Sequence, residues 1–332
     1  MKHALVTGGC GFLGSWIVRQ LVEEVGCDVR VFAVPGESLE NIEDLDVEVV
    51  EGDVRARGDV ERAVEGVDTV FHAAAIYQDY APDPTLMYDV NLRGTFNVIE
   101  AGRRAAVERT IYTASIVSLG RPEPGRTGDE QTPYEAWDLD FPYSRSKLHS
   151  RELAEYFADW DTDVRVVCPA IVLGPGDLRP TPSGNLIVKQ FGPFLPSVHY
   201  EGGANYVDVR DAAWAHVLAA QKGRRGERYI ASGTDLSNEE LVRTVRRVAG
   251  TRKPMVKLPL AVARALANGM DAAAKVTGTA PLLAKDFFEY SLRPAFYRND
   301  KARRELGATF RPIEETISDA IDYFRARGLI TG

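Results

Sequence analysis

The chain has 332 residues, 45% of them hydrophobic and 27% charged, with a formal net charge of −8 and a pI near 5.3. That length and balance suffice for one large core or two unequal ones and exclude a disordered chain, and the negative charge argues against general affinity for nucleic acid or an anionic membrane. Three cysteines, Cys10, Cys27 and Cys168, are odd in number and far apart. They give neither a disulfide framework nor metal-ligand spacing, so no metal is expected and a reduced cytoplasm is the simplest setting.

In chain order, the opening "MKHALVTGG" enters a strand directly, without an apolar leader, and no window approaches the roughly 18 uninterrupted apolar residues of a membrane span. A helix follows with Trp16, Ile17, Leu21 and Val22 on one face. The runs "DVRVFAV", "VEVVEGD", "DTVFHAAA", "RTIYTAS" and "DVRVVCPA" then alternate with helical stretches. Continuous apolar runs separated by helices are the pattern of an α/β fold, a doubly wound parallel sheet. From Gly174 to Asn205 the text turns rich in Gly and Pro, which reads as a smaller, mixed domain over the sheet's carboxyl edge. "YVDVRDAAWAHVLAAQ", with Asp208 and Asp211 placed as helix N-caps, reads as a return to the large domain. The expected division is 1–173 plus 206–235 for a dinucleotide-binding domain, and 174–205 plus 236–332 for a discontinuous substrate domain.

"TGGCGFLG", Thr7 to Gly14, joins the first strand to the first helix. Gly8 permits a tight turn, Gly11 lets backbone approach a pyrophosphate, and Gly14 lets the helix pack on the sheet while its N-terminal amides face the anion. Two further strand ends suit a dinucleotide lying across the sheet. Asp53 in "EGDV" can accept from an adenine amino group, and Ala73, Ala74 and Ala75 leave room for ribose and diphosphate. Tyr143 and Lys147 in "FPYSRSK" stand four apart and share one helix face. A tyrosine hydroxyl has a reference pKa of about 10, so as a base near neutral pH it needs a nearby cation, which Lys147 and an oxidised nicotinamide would supply. Ser115, at a strand end 28 residues before Tyr143, can hold the substrate oxygen.

With "TGGCGFLG", "GDV", "HAAA", "NLRGTFNVIEA", "YTASIVSLG", "YSRSK", "PAIVLGPGD", "YVDVRDAA" and "DKARRELG" in that order, the chain resembles an extended short-chain dehydrogenase/reductase, the NAD-dependent epimerase/dehydratase family, from end to end. "YAPDPTLMYDVNLRGT", "GPGDLRPTPSGNLIV" and "FRPIEETISDAIDYFRARGLI" are similar to its branch of dihydroflavonol-reductase-like proteins and hopanoid-associated sugar epimerases. The resemblance implies a Rossmann-type fold, a bound nicotinamide dinucleotide, and Ser115, Tyr143 and Lys147 as the catalytic set, with Asn91 ordering the site. It places the cofactor against Gly8, Gly11, Phe12, Leu13, Gly14, Asp53, Val54, Ala73, Ala74, Ala75, Thr113, Tyr143, Lys147, Pro169, Ile171 and Val172. It also implies a homodimer, formed through helices near 94–106 and 145–158.

Within the family, sugar 4,6-dehydratases carry Asp-Glu after the Ser or Thr, where this chain has Ile116 and Val117, so dehydration is not expected. Nucleotide-sugar epimerases hold the diphosphate with residues of which Asn185 and Arg293 are present here, whereas Ile171 and Ala204 occupy two of the others. One arginine and backbone amides make a weak diphosphate site, at about 1.5–3 kcal/mol per charged hydrogen bond. The substrate side offers Tyr77, Tyr80, Met87, Trp137, Phe191, Phe194, His199 and Tyr206, with Gln78 and Asn185 as polar points, or else these aromatics are inter-domain core. Tyr77, Ser115, Asn185, His199 and Tyr206 are the expected substrate contacts. An oxidoreductase acting on a small alcohol or ketone is the preferred reading. An NAD-dependent epimerase of a nucleotide sugar is the alternative, and the intact Ser115, Tyr143 and Lys147 argue against a binding protein without turnover.

The strand ending "VFAVPGE" disfavours NADP, which makes NAD the expected cofactor. Dihydroflavonol-type reductases grip the 2′-phosphate with an arginine where this chain has Val34. From Val31 through Val54 there is no Lys or Arg, while Glu37, Glu40, Glu43, Asp44, Asp46, Glu48, Glu51 and Asp53 are all acidic. The usual ribose-binding acid is also absent, and Glu37 or a backbone group is its candidate substitute.

Overall fold

The computed structural model describes residues 1–123, 125–135, 141–192, 196–251, 253–281 and 283–330. In chain order the strands are β1 (His3–Thr7), β2 (Asp28–Ala33), β3 (Glu48–Glu51), β4 (Thr69–His72), β5 (Arg109–Thr113), β6 (Val164–Pro169), β7 (Ile171–Leu173), β8 (Ser197–His199), β9 (Gly203–Asp208), β10 (Arg228–Ala231), β11 (Thr234–Ser237) and β12 (Met255–Lys257). The large sheet is parallel throughout, in the order β10-β6-β5-β4-β1-β2-β3. Strand order reverses between β1 and β4, and a crevice opens there at the carboxyl edge. In such sheets that crevice is where ligands bind.

The six expected strands are all present, and the central ones carry apolar runs buried on both faces: Ala4, Leu5 and Val6 in β1 and Val70 and Phe71 in β4 have no exposed surface, whereas the edge strand β3 is largely exposed. The seventh, β10, is four residues long and escapes a pattern reading. It enters the sheet because Asp208 caps the helix Val209–Lys222, accepting from the Arg210 amide at 2.8 Å, and that helix carries the chain back across the sheet. Asp211 lies within the first turn rather than capping. Its carboxylate accepts from the Arg311 amide, Nε and Nη2 at 2.7, 3.0 and 2.7 Å, tying the C-terminal segment to the large sheet's helix.

A second sheet, β11-β9-β7, lies beyond β6, and β12 pairs in parallel with β8. The three-stranded sheet draws β7 from before Gly174 and β9 and β11 from after it, so the chain weaves between its two parts rather than crossing at one linker. Its core gathers Leu173, Ile187, Tyr206, Leu241, Ile317 and Phe324.

Candidate active site

At the crevice, Gly8 adopts φ +70°, and a Cβ there would come within 2.8 Å of the Ala74 backbone, so the turn requires glycine for both conformation and space. Gly14 packs on the Gly8 carbonyl, where a Cβ would clash. Gly11 differs. Its backbone is ordinary (φ −74°, ψ 173°) and a Cβ would meet only the Gly8 carbonyl oxygen at 3.3 Å. The protein's own packing does not demand glycine at 11, so its smallness reserves open space for a ligand. The helix Phe12–Gln20 starts there with no side-chain cap and no acid in its first turn. Its first amides, including those of Phe12, Leu13 and Gly14, are left for an anion, and the cradle fits a pyrophosphate.

Ala73 and Ala74 form the opposite wall. Their amides donate to the Thr7 carbonyl and hydroxyl at 3.1 and 3.3 Å, fixing the end of β4, with Ala75 exposed beyond it. Asp53 follows β3, but Arg55 grips its carboxylate through Nε at 2.9 Å and Nη2 at 2.6 Å, which holds it below the usual carboxylate range. Val54 is buried beneath Gly94, and its carbonyl accepts from Asn97 Nδ2 at 2.9 Å. Past the end of β2, the Glu37 amide donates to the Val34 carbonyl at 3.0 Å and the Val34 amide returns a bond to Glu37 Oε2 at 3.3 Å. This turn brings the Glu37 carboxylate back beside the glycine loop, where its charge and burial together push the Cys10 thiol up to about 12, burial being the larger cause.

The expected reacting groups sit on the far side of the crevice. The helix Pro142–Trp160 begins with proline at its first position, where a missing amide hydrogen costs nothing. A buried serine face, Ser144, Ser146 and Ser150, lets it lie close on the sheet. The Tyr143 hydroxyl lies beside the Ser115 side chain, which favours its ionised form. Ser115 also caps the short turn Ile116–Ser118 by accepting from the Val117 amide at 3.3 Å. Lys147 is 3% exposed, and its Nζ donates to the Thr113 carbonyl at 2.8 Å. Burial lowers its pKa to about 8. Burial, followed by the nearby Tyr290 and Asp79, raises that of Tyr143 against the opposing influence of Ser115. Asn91 touches neither hydroxyl nor ammonium. Its Nδ2 donates to the Ile76 carbonyl at 3.0 Å and Ser146 Oγ at 2.9 Å, and its Oδ1 accepts from the Ile76 amide at 2.7 Å.

Residues 5–254 match the 3-beta hydroxysteroid dehydrogenase/isomerase family. The chain belongs to this family. It is an enzyme of the extended short-chain dehydrogenase/reductase type, and members named as reductases, epimerases and dehydratases share its fold. A relative from Methylococcus capsulatus, named sterol demethylase protein B, is 30% identical over 98% of this chain and 99% of its own length. The crystal structure of gox2253 is 33% identical, covers 100% of both chains and superposes with a TM-score of 0.88. A UDP-glucose 4-epimerase from Thermus thermophilus, crystallised with NAD, shares the fold at 23% identity and a TM-score of 0.76, over 97% of this chain and 99% of its own.

In this family member the remaining expected residues scatter. Thr113 turns its hydroxyl to His216 Nε2 at 3.0 Å, away from the crevice, and offers only its carbonyl. Pro169 ends β6, and Ile171 and Val172 are half-buried in β7. Tyr77 lies against Tyr143, ring centroids 4.5 Å apart, so the structure brings these two together. His199 is buried at the end of β8, and Tyr206 is packed in the core with Leu173 and Ile187. Met87 is 1% exposed, Phe191 packs on the same core as Tyr206, and Asn185 spends an amide hydrogen on the Pro180 carbonyl at 2.8 Å. Trp137 and Phe194 lie outside the described residues. Two groups near Tyr143 were not singled out from sequence. Tyr290 meets Phe141 edge-on at 4.8 Å beneath the Arg121 guanidinium, and Asp79 lies beside the Tyr77 hydroxyl, adding to the burial that raises its pKa. The acid inside "YQDY" was the available signal. Among the described residues no group of His, Cys, Asp or Glu is arranged to hold a metal, and no helix is long and apolar enough to cross a membrane.

Proposed function

We propose that the protein is an NAD-dependent oxidoreductase that moves a hydride between nicotinamide and a small alcohol or ketone. The neighbouring pair Ser115 and Tyr143, across the crevice from the Gly11 cradle and with Lys147 one helical turn along, carries the reading. Ser115 positions the substrate oxygen, and Tyr143 takes the hydroxyl proton in oxidation or returns it in reduction. The buried surroundings hold Tyr143 protonated in the free protein, so proton uptake depends on positive charge nearby. Lys147 carries such charge below pH 8. A bound nicotinamide dinucleotide supplies the hydride acceptor or donor. Asn91 orders this machinery through Ile76 and Ser146.

The cofactor proposed is NAD. Glu37, returned to the end of β2 beside the glycine loop, occupies the region that meets the adenine ribose and suits a free 2′-hydroxyl. A 2′-phosphate would face that acid unpartnered, losing about 1.5–3 kcal/mol, or about tenfold to a hundredfold in affinity. Tighter binding of NADPH than of NADH would overturn this assignment. The substrate sits between the dinucleotide unit, 1–173 with 206–235, and the remainder, 174–205 with 236–332. Tyr77, Tyr143 and Tyr290 cluster there, and an apolar or aromatic partner suits them. The family's hydroxysteroid members and the sterol-processing relative support that class. A homodimer is proposed through the helices Gly94–Arg104 and Pro142–Trp160, whose Phe96, Tyr156 and Trp160 are 46, 52 and 65% exposed. Light scattering giving a monomer mass would remove it.

The activity test incubates the protein and NAD with cyclohexanol, benzylic alcohols and hydroxysteroids and follows NADH absorbance. Net NADH formation supports the oxidoreductase. Inversion of a nucleotide sugar without net NADH supports the epimerase instead.

A further inference from the structure

His72 ends β4, is 1% exposed, and lies outside the proton-transfer set. Both ring nitrogens are engaged, Nδ1 with Thr7 Oγ1 at 2.7 Å and Nε2 with Thr95 Oγ1 at 3.0 Å. The proton positions follow from the neighbours. The Thr95 hydroxyl lies 2.6 Å from the Asn91 carbonyl, which can only accept, so Thr95 spends its hydrogen there and must accept from His72. Nε2 therefore carries the proton and Nδ1 accepts from the Thr7 hydroxyl. The Thr7 oxygen in turn accepts from the Ala74 amide. Asn91 continues the line through Nδ2 to Ser146 Oγ, and Ser146 donates to the Tyr143 carbonyl at 2.8 Å. The titratable groups facing the ring are Lys147, by its charge, and Tyr112, with ring centroids 5.8 Å apart. Burial and then the Lys147 charge push the imidazole down to about 3, which keeps it neutral at working pH.

We propose that His72, held as the Nε2–H tautomer, is a positioning residue that sets the dinucleotide wall at Ala74 and the catalytic helix at Tyr143 in one fixed relation, through Thr7, Thr95 and Asn91. Every link has a unique direction, so no member can rotate without leaving a buried donor or acceptor unpaired. The proposal rests on the dinucleotide reading for its consequence, but the tautomer is a property of the protein alone.

Two measurements on the full chain test it separately. In ¹⁵N-histidine NMR of the free protein, His72 is expected as Nε2–H, with no titration between pH 5 and pH 8. Thr95→Val should move it to the Nδ1–H form and Thr95→Ser should restore it. An Nδ1–H wild type, a titration in that range, or an unmoved tautomer in Thr95→Val overturns the proposal. In fluorescence titrations, Thr95→Val should weaken NADH about fivefold to tenfold and Thr95→Ser return it to within twofold. Thr110→Val, which deletes a buried hydroxyl that has no hydrogen-bond partner, should change neither readout. Equal losses in Thr95→Val and Thr110→Val would show loosening of the core and sink the positioning role. Failure of the wild type to bind NADH would count against the dinucleotide reading and leave the tautomer result to decide the relay.

Discussion

The two walls of the crevice are built on different physics. The sheet side, from Thr7 through Ala74 and Asn91 to Tyr143, is tied by short directional bonds between buried polar groups. Around Phe141 the side contributed after Gly174 meets it with rings: Tyr290 at 4.8 Å and Phe287 at 6.2 Å. Directional bonds fix atoms to fractions of an ångström, which proton and hydride transfer demand. Ring contacts tolerate sliding, which suits selection among substrates. Under the proposed function the contrast gives chemistry to the first wall and choice of substrate to the second.

The largest expected effect breaks the first wall. Lys147→Met should abolish turnover and at the same time stabilise the fold. The folded pKa of about 8 lies below the reference 10.5, so the unfolded chain binds the additional proton between those values and wild-type stability rises with pH across that window. At pH 7 the burial of this charge costs about 3 kcal/mol, a ceiling that the Thr113 bond lowers. Urea unfolding should show the variant's advantage at pH 7 shrinking towards pH 10, and an advantage independent of pH would contradict the account. Next, Gly11→Val should fold normally, since only the Gly8 carbonyl lies near, yet weaken NADH by about tenfold to a hundredfold, as expected for loss of one or two charge-assisted contacts. Unchanged dinucleotide affinity would reduce the loop to a turn. The smallest effect sharpens the joint between the walls. Arg311→Ala frees Asp211 from two side-chain bonds while keeping the backbone one, and should cost about 1.5 kcal/mol of stability with the kcat of the reaction unchanged. A fall in kcat beyond twofold would mean that the joint also sets the chemistry.

The first wall was the more legible in sequence, because its signals are local. Glycines three apart at 8, 11 and 14, and Tyr143 with Lys147 four apart, declare themselves within one turn of chain, as do the apolar runs of β1 to β6. What escaped depends on partners brought together by folding. His72 meets Thr7 across 65 residues and Thr95 across 23, and Asp211 meets Arg311 across 100. Asp211 reads as a cap by position, but Asp208 holds that place and frees it for the longer contact. Glu37 was one of two candidate substitutes for the ribose-binding acid, and only the turn at Val34 shows its carboxylate brought back beside the glycine loop. On the second wall, Tyr206 and Met87 read as pocket and sit in packed cores, since an aromatic or thioether suits either environment equally.

The central claim is that Tyr143 moves the proton while the cofactor site stands apart from it. The most direct measurement compares Tyr143→Phe with wild type for NADH affinity by fluorescence and for NADH formation from the best alcohol found. The account predicts affinity within about twofold and a rate lower by about 10²–10⁴-fold, the usual contribution of a positioned acid or base. A variant that binds NADH as the wild type does and keeps more than a tenth of the rate would contradict it.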